Sequence, residues 1–238
     1  MKTKVLTIAT LLFFVASSTL SMAFTFTDIK KENRKITDFD KISMSIPADL
    51  YLTQGSKNEV VIEADEDILS KIETEVDGNK LIIRFEKWYN YRGIKSIKVY
   101  VTVKEITKLI LSGSGDILSK SPIEAEKLGL VISGSGSILL DDLNVTNLYS
   151  VISGSGDIRV EGKNTASELE ATVTGSGDIY AAGLEFKNAD LTITGSGSIK
   201  AAVIDELDAN ITGSGRITYV GKPLIDANIT GSGKIRSE

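Results

Sequence analysis

Seven times the chain writes Gly-Ser-Gly, and each time an isoleucine stands two residues later. The first glycines are Gly113, Gly134, Gly154, Gly175, Gly195, Gly213 and Gly231, at spacings of 21, 20, 21, 20, 18 and 18 residues. The isoleucines are Ile117, Ile138, Ile158, Ile179, Ile199, Ile217 and Ile235. A serine or threonine precedes every triplet and an aliphatic residue precedes that, from Leu111 in the first copy to Ile229 in the last. A period near 20 residues is that of a solenoid, in which each repeat is one coil and buries its apolar face only against its neighbours.

The phase within the repeat gives the type of coil. One, three and five residues before the hydroxyl residue the positions are apolar or small, as in Leu169, Ala171 and Val173, and polar residues alternate with them. Period two is a strand signal. Carried forward, this alternation predicts that both glycines and the isoleucine face inward and that the serine between them faces out. A coil of 18 to 21 residues holds about three short strands at about 3.3 Å per residue, and parallel copies stack about 4.8 Å apart. The expected fold is all-β: a single-stranded parallel β-helix with about seven regular coils over residues 108–238. Helical repeats are excluded by the Ile, Val, Thr and Gly content and the missing 3.6 period. The leucine-rich pattern and the calcium-binding nonapeptide are also absent.

Residues 24–107 contain no such triplet, yet strand patterns recur in "KISMSI", "DLYLTQ", "EVVIEA", "KLIIRF" and "IKVYVTV". "DEDILSKIETEV" suggests one short helical turn, and Asp77-Gly78-Asn79 a tight turn before "KLIIRF". This region reads as irregular first coils covering the N-terminal end of the stack, continuous with the repeats as one domain over 36–238. Residues 1–23 read as a signal peptide: Lys2 and Lys4, the apolar run "VLTIATLLFFVA", and small residues at Ser21 and Ala23 that place cleavage before Phe24. Export, periplasmic or to the cell surface, is the expectation, with no integral membrane segment left after cleavage.

The chain has neither cysteine nor histidine. That removes disulfides, thiol and imidazole chemistry and most transition-metal sites. Loss of Lys2 and Lys4 leaves 25 basic against 32 acidic residues, and such an acidic chain is not expected to bind nucleic acid.

In a solenoid, equivalent positions stack into columns. Glu170, Asp190, Asp208 and Asp226 form an outward acidic column, read as a solvated face or a cation strip. The position after the second glycine runs Asp116, Ser137, Asp157, Asp178, Ser198, Arg216, Lys234, changing sign along the stack. Asp157 and Asp178 have a spacing that suits paired-carboxylate hydrolysis of a glycan, but the short coils leave no loop to wall off a pocket. Thr172, Thr192, Asn210 and Asn228 read as a stacking ladder. The densest aromatic cluster, "EKWYNYRG", makes Trp88, Tyr89, Tyr91 and Arg92 the candidate binding surface for sugar or protein. No catalytic, cofactor-binding or metal residues are assigned.

The order "FDKISMSIPADLYLTQGSKNEVVIEAD", "NKLIIRF", "IKVYVTV", "LILSGSGDI", followed by repeated Gly-Ser-Gly-(Asp/Ser)-Ile, resembles the "putative auto-transporter adhesin, head GIN domain" family of bacterial exported proteins. The resemblance covers residues 36–238 and implies a right-handed parallel β-helix at the surface or in the periplasm. The function expected is that of a non-enzymatic, adhesin-like interaction module without cofactor, its partner a protein or glycan. The alternative is a polysaccharide-binding or polysaccharide-degrading β-helix. At the C-terminal end, Lys234 and Arg236 are expected to discourage strand pairing between copies, leaving a weak or absent homodimer.

Overall fold

Each Gly-Ser-Gly triplet sits at a corner where the chain turns from one side of a coil to the next, and the coils stack in parallel register. The computed structural model describes residues 29–91 and 96–238; the expected signal peptide, its cleavage site and Arg92 lie outside these. In chain order the elements are β1 (Ile29–Arg34), β2 (Lys41–Met44), β3 (Asp49–Gln54), β4 (Glu59–Asp65), α1 (Glu66–Leu69), β5 (Ile72–Asp77), β6 (Lys80–Phe85), β7 (Lys98–Val103), β8 (Lys108–Gly113), β9 (Asp116–Ser119), β10 (Ile123–Gly134), β11 (Ser137–Leu140) and β12 (Leu143–Gly154). There follow β13 (Asp157–Gly175), β14 (Asp178–Gly195), β15 (Ser198–Gly213), β16 (Arg216–Val220), β17 (Leu224–Gly231) and β18 (Lys234–Ser237).

The side before the triplet is a ladder in which Ile132, Ile152, Val173, Ile193, Ile211 and Ile229 pair rung by rung. The side after it pairs Ile117, Ile138, Ile158, Ile179, Ile199, Ile217 and Ile235. A third, less regular side carries Ile123, Leu143, Phe186 and Val203. The fold is a parallel β-helix of about six turns. Seven triplets mark seven corners, and seven corners bound six turns.

The isoleucines after the triplets from Ile117 to Ile217 are buried, together with the apolar positions before them, in one continuous core. One part of the expected phase is corrected. The second glycine of each triplet from Gly115 to Gly215 is buried, but the first is half-exposed or exposed. At Gly154, φ is 135°. This left-handed backbone turns the corner and breaks the strict alternation, so the first glycine does not point inward. Both glycines are nevertheless required by close approach. A Cβ on Gly154 would lie 2.3 Å from the Gly134 carbonyl oxygen one coil below. One on Gly156 would lie 2.4 Å from the Gly136 carbonyl oxygen and 2.7 Å from Ile132 Cγ2. The corners are themselves rungs: the Ser155 N–H donates to the Gly134 carbonyl at 2.9 Å, and the Ser176 N–H to that of Gly154 at 2.9 Å.

The N-terminal coils do not stack in chain order. β2 and β3 pair on one edge with β8 and β9, and on the other with β6 and β7. The coil made later in sequence is therefore the outer one. β5 pairs antiparallel with β6 through the two-residue turn Gly78-Asn79, and β4 pairs antiparallel with both β7 and β1. α1 is a single helical turn that buries Ile68 and Leu69 against the core. At the other end β17 is exposed along its length, and Leu224 (76% exposed), Ile225 and Ile229 face solvent.

Two tests follow from this packing. Gly156→Ala should lose about 1–3 kcal/mol in denaturant titration by overpacking, whereas Ser155→Ala, on the outward residue beside it, should stay within about 0.5 kcal/mol. Ser150 stands in an inward column between Leu130 and Ala171; it is fully buried, and among the described residues its hydroxyl has no hydrogen-bond partner. Ser150→Ala should therefore stabilise the protein by about 1 kcal/mol, read as a higher midpoint with an unchanged slope.

Candidate functional site

The side after the triplets carries two outward columns, one residue to each side of the buried isoleucine. The first runs in register Lys98, Asp49, Asp116, Ser137, Asp157, Asp178, Ser198, Arg216, Lys234. The second runs Tyr100, Tyr51, Leu118, Leu139, Arg159, Tyr180, Lys200, Thr218, Arg236. Nine rungs at about 4.8 Å make a stripe roughly 38 Å long. The tyrosines and leucines in it are half-buried, so part of each faces solvent.

Two shallow cavities lie on this stripe. The larger, about 480 Å³, is lined by residues including Asp157, Arg159, Asp178, Tyr180, Lys200 and Arg216. The Arg159 guanidinium lies 4.3 Å from the centre of the Tyr180 ring, and Lys200 Nζ lies 5.6 Å from it. Arg159 also pairs with Glu161 at 2.8 Å, and Lys200 with Glu238. The second, about 440 Å³, holds Tyr51 and Tyr100, whose rings stack with centroids 5.4 Å apart. Lys120 lies 4.9 Å from the Tyr51 ring and Lys31 5.1 Å from the Tyr100 ring. The Tyr100 hydroxyl donates to Glu63 at 3.1 Å. Hydrogen bonding from Lys31 holds the Glu63 carboxyl below its usual value against the opposing effect of burial, and burial together with Glu63 raises the Tyr100 phenol.

The carboxylates of the first column have a structural task. Asp116 Oδ1 accepts the Ser137 N–H at 3.0 Å, Asp157 Oδ1 the Asp178 N–H at 3.3 Å, and Asp178 Oδ1 both the N–H and the hydroxyl of Ser198, at 2.9 and 2.7 Å. Asp157 and Asp178 thus each tie their own coil to the next. A carboxylate so engaged keeps its other oxygen free to accept from a ligand hydroxyl.

The sequence-chosen aromatic cluster is split by the structure. Tyr89 and Tyr91 pack on Phe85, with ring centroids 5.1 and 5.2 Å away, and are half-buried. Trp88 is 90% exposed at a positive φ of 74°, with Lys87 over its ring. The cluster follows β6, in the connection that leads to β7. Tyr51, Tyr100 and Tyr180 were not singled out from the sequence. A signal existed: the quartet Asp49-Leu50-Tyr51-Leu52 matches Asp178-Ile179-Tyr180-Ala181, with no triplet before it to draw attention.

The acidic column on the side before the triplets is in register from Glu170 through Asp190 and Asp208 to Asp226. Among the described residues no group of three or more carboxylates is placed to hold a metal ion. Burial first, and then the neighbouring carboxylates Asp208 and Glu168, raise the Asp190 carboxyl above its ordinary value. A carboxyl raised in the folded state weakens folding once it ionises. The cost is absent below the unfolded value of about 4 and complete above the raised folded value. Asp190→Asn should therefore stabilise the protein at pH 7 by up to about 0.5 kcal/mol, and thermal melts should show that advantage fading as the pH falls towards 4.

The molecule is thus a parallel β-helix with a long outward stripe that holds two shallow cavities. The chain belongs to the family described as "putative auto-transporter adhesin, head GIN domain", whose model matches residues 38–223. It is similar in structure to an adhesin, so described as putative, from Bacteroides fragilis: 24% identity, 89% of this chain and 97% of the other covered, TM-score 0.82. It is also similar to a protein from Parabacteroides distasonis described as a putative lipid binding protein: 29% identity, 89% and 97% covered, TM-score 0.74. A third likeness is to a putative adhesin from Parabacteroides merdae, at 22% identity, 88% and 96% coverage and TM-score 0.69. Among curated proteins none matches the chain. Among the described residues no helix is long and apolar enough to cross a membrane.

Proposed function

We propose that the protein is an exported, non-enzymatic, adhesin-like module that holds an extended surface ligand along the stripe from Tyr100 to Arg236. The observation that carries this reading is the outward column of half-buried tyrosines and leucines, interleaved with cations and ending on Arg236, on one side of the coil stack. Contiguous apolar surface kept at the exterior marks an interaction site, and tyrosine offers wide contact at small entropic cost. The carboxylates that a hydrolase would need are engaged with backbone N–H groups of the next coil, and the short corners around them build no wall against water. The family and the adhesin-named relatives support the same reading, and export follows from the expected signal peptide.

A glycan array run with a panel of matrix proteins, beside a turnover assay on the same polysaccharides, tests it. Expected is binding without cleavage, with affinity falling about tenfold or more in a Tyr51→Ala/Tyr180→Ala variant, since aromatic anchors commonly carry 1–2 kcal/mol or more each. Cleavage of any polymer would overturn the reading, as would binding that ignores both tyrosines.

A second reading is favoured by the aliphatic end formed by Leu224, Ile225 and Ile229, together with the description of the Parabacteroides distasonis relative. In it the end contacts lipid. Co-sedimentation with phosphatidylglycerol vesicles that disappears in Leu224→Ser/Ile225→Ser would move the site from the side of the stack to its end.

A further inference from the structure

We propose that the half of the stripe from Ser137 to Arg236 binds an acidic polysaccharide, with its uronate or sulfate groups held by Arg216, Lys234 and Arg236 and a sugar ring on Tyr180. This rests on the reading of the stripe as the binding surface and names its ligand class. Six rungs take part, a length of roughly 24 Å, and the cavity of about 480 Å³ spans them.

The charges along these rungs are not arranged as a stack alone would arrange them. Arg159 and Lys200 have intramolecular partners in Glu161 and Glu238, and both flank the Tyr180 ring. Among the described residues, Arg216, Lys234 and Arg236 pair with no carboxylate. Yet Arg216 and Lys234 are directly in register on adjacent rungs, and Arg236 stands one position across the same strand face. Like charges opposed in register are destabilising. The chain carries 32 acidic residues against 27 basic ones, so this concentration of three exposed cations runs against its overall balance. An anionic ligand turns that cost into attraction. Guanidinium groups pair with carboxylate or sulfate through two parallel hydrogen bonds, which gives direction as well as charge.

The other end of the same stretch fits sugar rather than a generic polyanion. Asp157 and Asp178 each direct Oδ1 to the scaffold, which leaves Oδ2 to accept hydroxyl donors. Ser198 adds a hydroxyl between the carboxylates and the cations, and Ser137 another on the rung before Asp157. A phosphodiester chain would set phosphates against the two carboxylates with no hydroxyl there to donate. A polysaccharide carries neutral hydroxyls on every ring and can turn these to the carboxylates and its acidic groups to the cations.

Affinity electrophoresis of the folded full chain tests this with four probes in the gel: polygalacturonate, dextran sulfate, neutral dextran and single-stranded oligothymidylate. Retardation by polygalacturonate or dextran sulfate, weakening as salt is raised, and none by neutral dextran or oligothymidylate is the expected result. Arg216→Ser/Arg236→Ser should weaken binding by at least about tenfold, as the loss of two charge-assisted contacts implies. Tyr180→Ala should weaken it while leaving the salt dependence in place. Lys163→Ser/Lys187→Ser, which removes the same charge from another part of the coils, should bind as the wild type does. Circular dichroism melts establish that each variant is folded. The inference is overturned by no retardation with either acidic polymer, by equal binding of wild type and Arg216→Ser/Arg236→Ser, by an equal loss in the lysine variant, or by equal binding of oligothymidylate. Retardation by neutral dextran that Tyr180→Ala abolishes would overturn it too, while leaving the binding stripe itself standing.

Discussion

Everything in this protein depends on how closely one coil can approach the next at its corners. Strands stack about 4.8 Å apart along their whole length only if the turns between them stack as closely. From the second triplet onward, a side chain on the first glycine would push into the glycine carbonyl one coil below, and one on the second glycine into a glycine carbonyl or an aliphatic side chain there. With glycine at both places, the corner serine N–H groups reach the glycine carbonyls beneath them, and the turns become part of the hydrogen-bonded ladder. The serine between the glycines points away from this contact and is free to be small and polar. The triplet is thus a stacking device first, and a turn second.

Tight corners dictate what the sides can be. With corners of fixed form there is no room for long insertions, and within the repeats the connections between strands are short. Within the repeats the variable side chains stand in the outward columns, because the connections described there are too short to build an enclosed pocket. A column changes one side chain per coil while the backbone register stays constant. This is why the stripe can pass from Tyr100 and Tyr51 through Leu118 and Leu139 to Tyr180 and Arg236 with no change of scaffold. It is also why Asp116, Asp157 and Asp178 can serve the scaffold and still present an oxygen to solvent.

The regular half of the fold was legible because its constraint is repeated: inward isoleucines, the buried second glycine and the period all follow from one motif. The role of the first glycine was misread, since strict alternation says nothing about a positive φ at a corner. In the N-terminal part, the strands were visible as apolar alternation, but their order was not. Alternation reports which residues face a core, and it carries no information on which strand lies beside which; β6 and β7 lie outside β2 and β3 and pair antiparallel with β5 and β4. The candidate site suffered from a different bias. "EKWYNYRG" is conspicuous by density, whereas Tyr51, Tyr100 and Tyr180 lie far apart in sequence and share a column only through register, with Tyr51 and Tyr100 directly paired and Tyr180 four rungs beyond Tyr51.

A linear stripe also sets the physics of recognition. Each rung offers a small contact: part of a tyrosine ring, one carboxylate oxygen, one cation. Exposed contacts of this kind contribute little singly, for the same reason that surface ion pairs do. A ligand with its own repeat engages several at once, and each further contact is made at the high local concentration created by the previous ones. Affinity then grows with the length of the ligand up to the length of the stripe. On the proposed reading a short oligomer would meet only a shallow groove, and a polymer a binding surface. The geometry that denies this fold a deep pocket is the one that suits it to an extended partner, provided the partner's chemistry changes along the chain no faster than the columns do.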